Sequence, residues 1–98
     1  MTRDELPESL RVALSEYEAR RQGATTMKNV PKLFDGMNDG EREAAEVLAY
    51  VAALGRKPIV FPEPAGGYLG EWCRAETETD RTAWAVIFAG SLLRALSR

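Results

Sequence analysis

Between Arg81 and Arg94 the chain carries no charge, and its apolar residues fall at helical spacing on two faces. Trp84, Ile87, Phe88, Leu92 and Leu96 trace one stripe, while Ala85, Val86, Ala89 and Leu93 trace a second. A helix that is apolar on both sides must be covered on both sides, so it is a central helix, a self-association helix, or both. The uncharged run, residues 82–93, falls well short of the ~20 residues needed to cross a bilayer. Its cover therefore has to be protein. A chain of 98 residues has few other elements with which to provide it. The expectation is that one stripe packs within the chain. Val86, Ala89 and Leu93 are then left to a second copy, making a two-fold homodimer; the alternative is a monomer in which the first helix and the segment before the last helix wrap that side.

Two more helices are legible. Leu6, Leu10, Ala13, Leu14 and Tyr17 recur at helical spacing over residues 7–22, with charged residues on the other faces. Pro7 suits a first helical position, Arg20-Arg21 suit the negative end of the helix dipole, and Gly23 is a natural stop. Residues 23–40 lose the pattern and read as loop and turn, with a short helical turn anchored by Leu33-Phe34. A second helix is expected over residues 40–54, capped by Asn38 or Asp39 and ended by Gly55. Its only charge between Ala44 and Leu54 is Glu46, so it is expected to be covered on most of its circumference.

The segment between this helix and the last reads differently. Ile59–Phe61 is short, β-branched and aromatic, and is bounded by Pro58 and Pro62 as an edge strand would be. Residues 68–75 are expected to return beside it as a two-stranded ribbon. An ordered irregular loop, favoured by Gly66, Gly67 and Gly70, is the competing reading. The fold class is thus mostly α (α+β): one small domain over residues 1–98, with three main helices and a ribbon or ordered loop between the second and third.

Composition narrows the function classes. A hydrophobic content of 45% with 29% charged residues describes a globular chain. The net charge of −2 argues against a general affinity for phosphate backbones or anionic membranes. The N-terminus is charged and lacks the apolar core of a signal peptide, so the cytoplasm is the expected location and no membrane partner is expected. Arginine far outnumbers lysine and alanine is abundant, a style of GC-rich genomes that suggests an actinobacterium or one of its phages.

Chemistry-bearing motifs are weak. There is no histidine, and Cys73 is the only cysteine, so zinc ligation and an activated thiolate both lack partners. Cys73 is expected as a small buried residue on a strand. The spacing of Asp35, Asp39, Gly40 and Glu46 matches a calcium loop, but Met37 occupies a ligand position and Arg42 an apolar one. Glu41, Glu43, Glu46, Glu63, Glu71, Glu76 and Glu78 are carboxylates with nothing in their spacing to set two of them across a cleft. No cofactor, catalytic residue or metal ligand is expected. A small enzyme using carboxylates stays the weakest alternative.

Two readings remain. Helix, turn, helix, ribbon and helix is the order of a winged-helix DNA-binding regulator. Its reading helix would begin Glu41-Arg42-Glu43, which meets phosphate with the wrong sign and offers few base-reading side chains, so nucleic acid is not expected to be the partner. The preferred reading is a non-catalytic binder, adaptor or inhibitor of another protein. Phe61, Tyr68 and Trp72, near a Pro/Gly-rich ribbon, are its expected partner-binding anchors. A lid over the core is their alternative role.

Overall fold

The computed structural model describes residues 2–22, 39–55 and 59–96, with side chains for 2–19, 42–55 and 59–96. Among the described residues a 3-10 turn at Arg3–Glu5 is followed by four helices: α1 (Glu8–Gln22), α2 (Asp39–Leu54), α3 (Ala65–Arg74) and α4 (Glu78–Leu96). The Leu33-Phe34 turn, the Gly23 stop and the Asn38 cap lie outside the described residues. The mostly helical class holds. Among the described residues there is no strand, and the ribbon is replaced by α3.

The correction has a plain cause. Ala65, Tyr68, Leu69 and Trp72 stand at i, i+3, i+4 and i+7, which is one face of a helix. Pro58, Pro62 and Pro64 all precede that helix, so none interrupts it, and Pro64 sits at its N-cap. The glycines suggested a turn, yet none of them has a positive φ. Packing of the apolar face outweighs their poor helix propensity.

The helices pack in the order α1 on α2, α2 on α4, and α4 on α3. The buried residues of α2 are Ala44, Ala45, Leu48, Ala49 and Ala52, a face of mostly small side chains that lets neighbouring helices come close. Opposite it, α4 buries Ala85, Val86, Phe88, Ala89, Ser91, Leu92 and Leu93. Both stripes of α4 are therefore occupied within one chain, and α4 is the central helix. Val86 is 2% exposed, Ala89 0% and Leu93 6%, so the face expected to await a second copy is already covered. The chain has more cover to give than three helices and a ribbon would supply, because α3 is a fourth helix.

Local signals set the ends of α4. The Thr77 hydroxyl accepts the backbone N–H of Asp80 at 3.1 Å, an N-cap bond, and Glu78 and Asp80 add negative charge to the first turn. The Thr82 hydroxyl donates to Glu46 at 2.6 Å, tying the one acid in the middle of α2 to α4. At the heart of the core Phe61 meets Phe88 edge to face, with ring centres 5.4 Å apart. Trp84 and Trp72 are both half-buried.

Phe88 is fully buried and has an aromatic partner, so Phe88→Ala should cost about 3–5 kcal/mol, a large part of a small domain's roughly 5–15. Trp84→Ala should cost less. Urea melts of the two variants check the order, and equal losses would contradict this description of the core.

Candidate protein-interaction surface

The aromatic residues expected to face a partner are turned toward the chain itself. Phe61 is 7% exposed and belongs to the core. Tyr68 stacks on Trp84 with centroids 5.9 Å apart and planes inclined by 27°. The Arg81 guanidinium lies over the Trp72 ring, 5.9 Å from its centre. Such a contact contributes about 0.5–1 kcal/mol where it is partly exposed. The Trp72 indole N–H is buried and has no acceptor among the described residues. Tyr68, Trp72, Arg81 and Trp84 thus form the seam between α3 and α4, and Phe61 packs on Phe88.

Exposed apolar side chains are gathered elsewhere. On α2, Val47, Tyr50, Val51 and Leu54 fall at i, i+3, i+4 and i+7 and form one stripe. Tyr50 is 56% exposed, Leu54 59% and Val47 42%, while Val51 is half-buried. The expectation that α2 would be covered on most of its circumference does not hold for this side. The end of the stripe opens into a groove against the start of α1, lined by Leu6, Pro7, Ser9, Val51 and Leu54. Ser9, Val12 and Glu16 share one side of α1, and Val12 is itself exposed. Glu5 stands in the groove wall.

The stripe is within reach of sequence reasoning. The near absence of charge from α2 is plain in the sequence, but burial explains it equally well. Two apolar faces on a helix can mean one buried and one offered, and only the packing order distinguishes them.

The other chemistry-bearing residues are dispersed. Glu46 is held by Thr82, and Glu71 pairs with Arg74 one turn away. Glu71, Glu76 and Asp80 line a shallow depression at the α3–α4 turn, together with Arg74 and Trp84. Among the described residues no group of three histidine, cysteine or acidic side chains is placed to hold a metal ion. Of the calcium-like residues, Asp35 and Met37 lie outside the described residues. Arg3 pairs with Glu18, Arg74 with Glu71, and Arg81 lies over the Trp72 ring. No helix of the described residues is long and apolar enough to cross a membrane.

Cys73 is exposed on α3, not buried on a strand as expected. It should react with a thiol reagent at one equivalent per chain without denaturant, at a rate unchanged by urea below the unfolding transition. A thiol that labels only on unfolding would show that α3 is turned the other way.

The fold and this surface stand without a template: no family model, curated protein or solved structure matches the chain.

Proposed function

We propose that this chain is a non-catalytic protein-interaction module that docks an apolar helix of another protein along the α2 stripe and its groove. The observation that carries the reading is the stripe itself. Val47, Tyr50, Val51 and Leu54 repeat at the spacing by which one helix reads another, and the three most exposed of them are large apolar or aromatic side chains. Contiguous apolar surface of this kind marks interaction sites more often than ordinary protein exterior. Tyrosine at its middle is among the residue types most enriched as interface anchors. Glu5 in the groove wall favours a partner helix with a basic residue beside it.

A DNA-binding role has less support, since the order of elements that suggested it includes a β-ribbon that the described residues lack. Carboxylate chemistry has no residue in a named role. Self-association through Val86, Ala89 and Leu93 has lost its motive because those side chains are covered. A second copy seated on the α2 stripe is the competing occupant, with like charges at the rim opposing it.

The test compares the wild-type chain with Tyr50→Glu/Leu54→Glu, two surface changes that should alter stability by roughly 0.5 kcal/mol or less each. Tagged forms of both are used to capture partners from the native host, and light scattering gives the mass of each alone. A protein held by the wild type and lost from the variant, with both chains near 10.8 kDa, is the expected outcome. Partners that bind both forms equally contradict the surface. A wild-type mass near twice 10.8 kDa that the variant halves assigns the stripe to a second copy instead.

A further inference from the structure

α3 is a helix with little of its own to hold it together. Three of its ten residues are glycine, and its N-cap, Pro64, gives no side-chain hydrogen bond. No acidic residue occupies its first turn. Ten residues are fewer than the roughly 12–15 at which even good helix formers become marginal in water. What keeps α3 folded is its seat on α4: Ala65 fully buried, Tyr68 stacked on Trp84, and Trp72 beneath Arg81. Its contact with α2 is slight, so essentially one seam retains it.

Gly67 and Gly70 are not required by the backbone or by space. Neither has a positive φ. A methyl group at Gly67 would come no nearer than 3.5 Å to a Glu63 carboxylate oxygen, and one at Gly70 no nearer than 3.5 Å to an Arg74 nitrogen. Both are ordinary contacts with flexible side chains. Alanine would fit and would make a better helix. The seam also contains a cost that release would remove, since the buried Trp72 N–H has no acceptor among the described residues and would gain water.

We propose that α3 is a releasable flap: it detaches from α4 and unwinds as a unit while α1, α2 and α4 stay folded, uncovering the aromatic faces of Tyr68, Trp72 and Trp84. In the closed form described here these residues cover one another. The flap rests on the α3–α4 seam and does not depend on the reading of the α2 stripe. Glycine at positions 66, 67 and 70 sets how often the flap opens.

Native-state hydrogen exchange followed by NMR tests this on the full chain. Amides of residues 69–74 should exchange at least about tenfold faster than those at the centres of α2 and α4, with little dependence on low urea, the signature of sub-global opening. Gly67→Ala/Gly70→Ala should slow the α3 amides roughly fivefold to twentyfold, given about two- to fivefold for each glycine replaced. Gly90→Ala, in α4 and with open space around the added methyl, is the control. It leaves the α3 amides unchanged if they exchange while α4 is intact. The proposal is overturned if α3 and α4 amides share one protection level and one urea slope in the wild type, because α3 then opens only with the whole fold. It is also overturned if the double variant leaves α3 exchange unchanged.

Discussion

The need to cover α4 organises everything else in this chain. From Arg81 to Arg94 the helix has no charge to turn toward water, and it buries residues over more than half of its circumference. Cover on one side comes from α2, whose alanine-rich face lets its axis approach closely. Further cover comes from α3, which carries apolar residues on the side that packs. α1 packs on α2 in turn, burying Leu10, Leu14 and Tyr17. Phe61 closes the core from the connector before α3 by meeting Phe88.

Polar groups specify how these layers sit. Burial is non-directional, and a face of alanines can slide against its neighbour at little loss. Glu46 is the one charged side chain between Ala44 and Leu54, and it accepts the Thr82 hydroxyl. A part-buried bond of that kind is satisfied in one register of α2 on α4, because moving either helix by a residue leaves a carboxylate without its donor. Thr77 fixes where α4 begins in the same way. The core thus supplies the drive to assemble, and a few hydrogen bonds choose the alignment.

Three helices are legible in the sequence because they carry consistent signals at every level: spacing, charge bias and terminal residues. α2 is expected over 40–54 and runs over Asp39–Leu54; the uncharged run 82–93 falls inside α4, Glu78–Leu96. α3 is not legible because composition and periodicity disagree within it. Gly66, Gly67 and Gly70 favour a turn, while Ala65, Tyr68, Leu69 and Trp72 favour a helix, and the sum depends on a partner surface that lies elsewhere in the chain. The surfaces are misassigned for the same reason. Without α3 there is too little protein to cover Val86, Ala89 and Leu93, and the aromatic residues have no reason to face inward. The exposed side of α2 is hidden by the opposite error, in which an uncharged helix face is equated with a buried one. Such faces are told apart by which helix lies beside which, a property of the assembled fold.

The central claim is that one chain covers both sides of α4, and a thiol placed at Val86 tests it most directly. Valine and cysteine are close in size, so Val86→Cys in a Cys73→Ser background should keep the fold. At submicromolar concentration, where weak assemblies dissociate, the new thiol should label at least about a hundredfold more slowly than Cys73 does in the wild type, because it is reached only through opening of the core. If the introduced thiol labels as fast as Cys73 when dilute, and slows as the protein is concentrated, a second copy and not this chain covers α4.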